Sequence, residues 1–182
     1  MGRVLQFSDV HFGCEHADAC QAALDYAHAT PADLILITGD ITQKGRPQEF
    51  RAAGAWVRAM PQPAFVTVGN HDVPYWSLAA RLFWPWRAFE AAIGHPAHDH
   101  QFRSDLLMVR GVTTARGWQA RPNWSKGVID LGQTRRAAEA LRQAPDRDLL
   151  GDAQRLLVGE TLSRSKAAGR PWQIIGNQVI MA

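Results

Sequence analysis

Three short groups of polar residues carry the side chains best suited to chemistry. Asp9-Val10-His11 comes first, Gly39-Asp40 second, and Gly69-Asn70-His71-Asp72 third. Asp40 follows Asp9 by 31 residues and Asn70 follows Asp40 by 30, about one strand–helix–strand unit each time. Carboxylate, imidazole and amide groups together suit borderline-to-hard divalent ions such as Mn²⁺, Fe or Zn²⁺. The spacing therefore predicts a metal site assembled from three separate turns.

Each of these residues, taken alone, has an ordinary structural explanation. Asp9 can cap a helix, Asp40 can occupy a turn, and His71 can be a surface histidine. What indicates a site is their joint order, because each group comes directly after an apolar run. Gly39 and Gly69 also allow the sharp turns that aim the next side chain inward.

The elements that must position these groups alternate between strand and helix. Apolar runs predict strands at Arg3–Ser8, Asp33–Thr38 and Ala64–Val68, with helices between them at Asp18–His28 and Pro47–Met60. Two consecutive βαβ units predict a parallel sheet, and open α/β sheets carry their sites beyond the carboxyl ends of the strands. We therefore expect the three polar groups to share one small volume.

The pattern beyond Pro74 predicts a two-part helix, a hairpin, a further strand and a polar helix. In chain order these are Trp76–Ile93, broken at Pro85; His100–Arg103 with Leu106–Arg110; Gly127–Ile129; and Thr134–Gln143.

The three polar groups resemble the calcineurin-like metallophosphoesterase superfamily. Within it, Gly39–Thr42 with Gly45 and Glu49-Phe50, followed by Gly69–Pro74, is similar to the branch that contains class III cyclic-nucleotide phosphodiesterases. The later stretch Gly111–Arg116, with Trp124 and Gly127, is similar to the same branch. The resemblance covers Arg3–Gln143 and implies an α/β fold, a four-layer α/β/β/α sandwich with a binuclear centre at the strand ends.

The resemblance also implies a role for each metal-ligand candidate. Asp9 and His11 would hold the first divalent ion, Asp40 would bridge two ions, and Asn70 would bind the second. The ions implied are Mn, Fe or Zn.

Two further residues receive catalytic roles from the same resemblance. His71 would be the general acid beside the leaving-group oxygen, Asp72 would help to set its charge, and a metal-bound hydroxide would attack phosphorus. General acid–base help of this kind is typically worth about 10²–10⁴ in rate.

The last part of the chain departs from the family pattern. The family continues with a further histidine and ends on a Gly-His-x-His motif, whereas all seven histidines here lie at or before His100. On the family's roles the first ion loses one imidazole and the second loses two. We therefore expect residues 1–148 to be the metallophosphoesterase domain, residues 149–182 to be a divergent or truncated segment, and one ion to be held tightly.

Two explanations of residues 149–182 stay open. The segment is either an unrelated tail, or a helix at Asp152–Ala168 and a strand at Trp172–Ile175 followed by Gly176–Val179 as a degenerate closing motif. Missing family strands would leave an unpaired sheet edge around Leu106–Arg110 or Gly127–Ile129.

Two other clusters have both a functional and a structural explanation. His95, His98 and His100 follow a predicted helix rather than a strand, which favours loop or surface positions. Four aromatic residues can form a substrate-facing wall, although such clusters more often pack in a core or cap. They are Trp76, Phe83, Trp84 and Trp86.

Composition limits the remaining function classes. The 182 residues carry a formal charge of +3 without a basic block, so there is no strong nucleic-acid signal. No apolar run approaches the roughly 18–20 residues of a membrane span, and residues 1–10 lack a secretory pattern. Cys14 and Cys20, with His16 between them, could bind zinc, but no second pair matches them. Two ordinary thiols favour a reducing compartment, and we expect a cytoplasmic location.

These observations lead to two hypotheses from different classes. The first is a metal-dependent phosphoesterase whose small-molecule substrate is a phosphodiester, with a cyclic nucleotide as the favoured example. The alternative is a catalytically impaired paralogue or fragment that retains one metal site and acts by binding. The sequence makes no prediction of the oligomeric state.

Overall fold

A computed structural model describes residues 3–105, 107–120, 123, 126–142 and 179–181. Its first half consists of three parallel strands joined by two helices, in the sheet order β1-β2-β3. This confirms the two predicted βαβ units. The elements are β1 Val4–Phe7, α1 Ala17–Ala29, β2 Leu34–Thr38, α2 Pro47–Arg58 and β3 Ala64–Thr67.

The central strand β2 is buried along its whole length because both of its faces are covered. Ile35 and Ile37 face a core that is shared with the helices, whereas Leu34 and Leu36 face a second, smaller core. Successive side chains of a strand point to opposite faces, so one run of apolar residues serves both cores. The edge strand β1 is only half-buried.

The second half begins with two short helices that break at Pro85, as predicted. They are α3 Leu78–Phe83 and α4 Arg87–Ile93. An antiparallel sheet follows, in the order β4-β5-β6, from Gln101–Arg103, Met108–Gly111 and Val179–Met181. The predicted hairpin between the first two of these strands is confirmed.

Two predictions about sheet edges were wrong. Gly127–Ile129 is not a strand: among the described residues it makes one bond between backbone groups, from Val128 N to Thr114 O at 2.8 Å, and no ladder. The stretch around Leu106–Arg110 is not an unpaired edge either, because β5 pairs with β4 on one side and with β6 on the other. The proposed elements Asp152–Ala168 and Trp172–Ile175 lie outside the described residues.

The layers form an α/β sandwich. Helices α1, α2 and α4 contribute Ala27, Phe50 and Phe89 to the core on one face of the parallel sheet. The other face meets the antiparallel sheet through Phe65 and Val109. A last helix, α5 at Leu131–Arg142, packs against β5. This order of layers confirms the predicted fold class. None of the helices in the described ranges is long and apolar enough to cross a bilayer.

Candidate active site

Three residues after the parallel strands have an unusual backbone conformation. Asp9, His11 and Asp40 have φ angles of 56°, 53° and 50°, in the left-handed region. Asp99 is the one other non-glycine residue with positive φ in the described part of the chain. This conformation costs roughly 1–3 kcal/mol per residue and is concentrated at functional sites. The strain therefore marks the turns that follow β1 and β2 as a candidate site.

The same three residues bring their donor atoms together. The ligand atoms of Asp9, His11 and Asp40 all lie within 4.8 Å of one another. Backbone hydrogen bonds hold the two turns together. His11 N donates to Asp40 O at 3.0 Å, and the next residue of the first turn, Phe12, donates from its N to the O of the next residue of the second turn, Ile41. Ser8 Oγ donates to Asp9 Oδ2 at 2.6 Å, which orients the exposed carboxylate.

This donor set fits a divalent metal ion. Its atoms are two carboxylates and an imidazole, the ligands that Mn²⁺, Fe and Zn²⁺ accept. His11 Nδ1 is buried and has no hydrogen-bond partner, which is unusual for a polar atom unless a ligand completes it. His11 Nε2 lies 3.9 Å from Asp9 Oδ1. The chemistry of these donor atoms favours a cation between the three side chains.

The turn after β3 packs directly on Asp40. A Cβ atom added to Gly69 would lie 2.1 Å from Asp40 Oδ1 and 2.4 Å from Asp40 N, so only glycine fits. His71 N donates to the same Oδ1 atom at 2.9 Å. Asn70 lies between these two contacts and is half-buried. The third polar group therefore lies beside the second, as the spacing predicts.

His71 is held so that one ring nitrogen stays available. Its Nδ1 lies 2.9 Å from the carbonyl oxygen of Gln43. A carbonyl can only accept, so Nδ1 carries the hydrogen of that bond and Nε2 remains free for another partner. The His71 ring lies edge-on to the His11 ring, with 4.8 Å between their centroids. An available imidazole nitrogen beside the candidate metal ligands can exchange a proton with a bound substrate.

Asp72 joins two turns of the candidate site through its carboxylate. Its carboxylate is fully buried and accepts hydrogen bonds from Thr42 N, Thr42 Oγ1 and Gly69 N, each at 2.8 Å. Burial raises the pKa of Asp72 to about 6, against the opposing effect of these donated bonds. The carboxylate thus joins the turn after β2 to the turn after β3, while the His71 ring bonds to Gln43.

Glu49, which the sequence places within the family resemblance without a role, is a positioning residue. Glu49 is buried, and its Oε2 accepts from Lys44 N at 2.8 Å and from Arg46 N at 3.2 Å. These bonds hold the loop that carries the Gln43 carbonyl. Glu49 is the third residue of α2, where acidic side chains commonly bond back to the residue before the helix. That capping pattern was the signal available in the sequence.

The other candidate clusters do not form a comparable site. Within the described ranges, no group of three close metal-ligating side chains includes Cys14, His16 or Cys20. His95, His98 and His100 lie in the loop between α4 and β4, as predicted, and they are half-buried there. Aromatic packing explains this, because the His95 and His100 rings stack at 3.6 Å beside Phe65.

Comparison with known proteins gives one family and two distant relatives. Residues 2–175 match the family model of calcineurin-like phosphoesterases. A probable cyclic nucleotide phosphodiesterase from a Synechococcus strain is 28% identical in an alignment of 80 residues that covers 39% of this chain and 31% of that protein. The DNA double-strand break repair protein Mre11 of Thermoplasma acidophilum is 27% identical in an alignment of 138 residues that covers 63% of this chain and 35% of that protein.

The matched part of the chain spans about a third of the length of these curated relatives. The family match, in contrast, extends over nearly all of the sequence and includes every residue of the strained turns. This chain therefore belongs to the calcineurin-like phosphoesterase family.

Proposed function

We propose that this protein is a metal-dependent phosphoesterase that hydrolyses a phosphodiester. The observation that carries the proposal is the convergence of Asp9, His11 and Asp40 within 4.8 Å at the ends of parallel strands. Membership of the phosphoesterase family supports this chemistry. The name of one relative favours a cyclic nucleotide as the substrate, and we propose that class as the first to test.

The residues that would hold the metal follow from the geometry. Asp9, His11 and Asp40 would bind the first ion, and Asn70, beside Asp40, is our candidate ligand for a second. When bound, a divalent cation neutralises charge on the phosphoryl oxygens and lowers the pKa of water. We propose Mn, Fe or Zn and one tightly held ion, because the described residues offer one cluster of three ligands.

His71 supplies the proton in this proposal. With Nδ1 bonded to the Gln43 carbonyl, the protonated ring presents Nε2–H to the leaving-group oxygen. The bond to Gln43 also fixes the ring orientation, so the proton is delivered without a search over rotamers. Asp72 acts indirectly, through the two turns that it joins.

One observation favours the alternative function, a metal-binding paralogue with impaired catalysis. Beyond Asp9, His11 and Asp40, no further group of three ligating side chains occurs among residues 3–105, 107–120, 123, 126–142 and 179–181. A second ion would rely on Asp40 and Asn70.

We also propose a cytoplasmic location, and this proposal rests on the low cysteine content.

The test combines metal content with hydrolysis of methyl 4-nitrophenyl phosphate. The Mn²⁺-loaded, dialysed wild type should retain about one ion per chain and release nitrophenolate. Asp40→Asn should lower both the metal content and the rate, the latter by about 10²-fold or more. The matched control is Asp25→Asn, an exposed carboxylate on α1, which should change neither.

The outcomes separate the two functions. One bound ion without hydrolysis would favour the binding paralogue. Two tightly held ions would contradict the single-ion expectation, and no bound ion together with no hydrolysis would contradict both functions.

A further inference from the structure

A groove of about 420 Å³ lies on the surface formed by α3, α4 and the loop before α3. Trp76, Trp84 and Arg87 line it, together with the rings of Pro47 and Pro74. Trp76 is 51% exposed and Trp84 is 59% exposed. Most large apolar side chains of a folded protein lie inside, so two neighbouring exposed tryptophans indicate a surface that binds something.

The structure separates the four aromatic residues that the sequence groups together. Trp86 packs against the helix core and lies edge-on to His98, 5.3 Å between centroids. Trp76, Phe83 and Trp84 remain exposed. The Trp76 indole N–H donates to Gly45 O at 3.1 Å, which fixes the ring while leaving part of its face open. An anchored aromatic face binds a flat ring with little loss of side-chain freedom.

The charge around the groove favours an anion. Arg87 lines the groove itself, and Arg46 lines an adjoining space of about 350 Å³ that shares Pro47 and Trp76 with it. Neither guanidinium forms an ion pair with any described residue, and no lining residue is acidic. Arginine beside exposed aromatic rings is suited to a ligand that combines a flat ring with a phosphate.

Two adjacent segments, residues 43–46 and residues 71–76, connect the groove to the candidate active site. At one end the Gln43 carbonyl bonds to His71, and at the other the Gly45 carbonyl bonds to Trp76. Between them, Tyr75 N donates to Lys44 O at 3.1 Å. Gln43 and Arg46 are three residues apart, so their Cα atoms are separated by about 11 Å at most. The loop that joins the two places is therefore short.

We propose that this groove is a base-binding subsite for a nucleotide phosphodiester. The base stacks on Trp84 and Trp76, and Arg87 and Arg46 attract the anion. The inference rests on the proposed function, because the groove would bind the base of the same substrate whose phosphodiester group lies beside His71. Stacking on a protein aromatic ring is worth about tenfold or more in affinity per base.

The first test compares two esters with the same leaving group. Thymidine 5′-(4-nitrophenyl) phosphate carries a base, and methyl 4-nitrophenyl phosphate does not. Trp84→Ala should lower kcat/KM for the thymidine ester relative to the methyl ester by about tenfold. Trp118→Ala is the matched control, because Trp118 is 61% exposed and does not line the groove. It should leave the ratio of the two esters as in the wild type.

The second test measures binding without metal, so that it is independent of hydrolysis. In EDTA, the wild type should bind AMP more tightly than ribose 5-phosphate, and Trp84→Ala should remove that difference. If neither ester is hydrolysed but AMP binding depends on Trp84, the proposed function fails and the subsite stands. Three outcomes would overturn the subsite. The first is that Trp84→Ala loses the same activity on both esters, and the second is that Trp84→Ala and Trp118→Ala bind AMP equally well. The third is that the protein is a dimer and that only Trp84→Ala dissociates it.

Discussion

Two pairs of histidines lie in contrasting surroundings. His11 and His71 meet edge-on at 4.8 Å, where the parallel strands end and two carboxylates approach. His95 and His100 stack face to face at 3.6 Å in the loop between α4 and β4, with Phe65 against the stack. Both pairs are half-buried, so exposure does not distinguish them.

The difference lies in what surrounds each ring. In the first pair, the donor atom of His11 lies within 4.8 Å of those of Asp9 and Asp40, and these three residues all have positive φ angles. The second pair is surrounded by aromatic rings, and burial lowers the pKa of both imidazoles, that of His100 to about 4. The comparison teaches that a histidine becomes a ligand candidate through neighbouring carboxylates, whereas aromatic neighbours keep it neutral.

The largest expected effect comes from a substitution at Gly69, which packs on Asp40 beside the first pair of histidines. A methyl group there would overlap Asp40 Oδ1 at 2.1 Å, so Gly69→Ala must displace the carboxylate. We expect loss of the tightly held ion and of hydrolysis, measured by elemental analysis and nitrophenolate release. Gly94→Ala is the control: its φ is +88°, but nothing lies within 4 Å of the added atom. It should lower the melting temperature slightly and retain the ion. Normal metal content in Gly69→Ala would show that Asp40 is not a ligand.

The next effect concerns the acid role within the first pair. His71→Ala should lower turnover by about 10²-fold or more and leave the metal content as in the wild type. The loss should be smaller on esters with a good leaving group such as nitrophenolate, which needs less protonation. His28→Ala on α1, an exposed histidine whose Nε2 bonds to the Ala59 carbonyl, serves as control. Equal losses on good and poor leaving groups would argue against His71 as the acid.

The smallest effect is a pH dependence that belongs to the second pair. The pKa of His100 is lowered from 6.5 to about 4, first by burial and then by His95. Between these values His100 binds more protons in the unfolded chain than in the folded chain, so this residue lowers the free energy of unfolding as the pH drops from about 6.5 towards 4. The raised pKa of Asp72 acts in the opposite direction, equally in the wild type and in the variant. His100→Phe keeps an aromatic ring but cannot titrate, so the urea midpoint of the wild type should decrease relative to that of His100→Phe over this range. An identical change in both proteins would contradict this assignment.

Local pattern was sufficient for most of the fold. The βαβ units, the break at Pro85 and the hairpin before β5 follow from apolar periodicity and from proline. The pattern failed at Gly127–Ile129, a short apolar stretch that pairs with none of the strands in the described part of the chain. It also failed at the β5 edge, because β6 lies about seventy residues later in the chain and pairing over that separation leaves no local signal.

The amino-acid sequence by itself determined which residues follow the strands, and thus that Asp9, His11, Asp40, Asn70 and His71 would gather at one edge. Only the tertiary structure decided which partners each side chain has there. Asp72 turned inward to join two turns, and Trp84 stayed exposed while Trp86 packed against the core. The physical reason is that residue type and spacing determine which strand or helix a residue belongs to and which face its side chain is on. The partners of that side chain, its burial and its close contacts depend on elements that are distant in sequence.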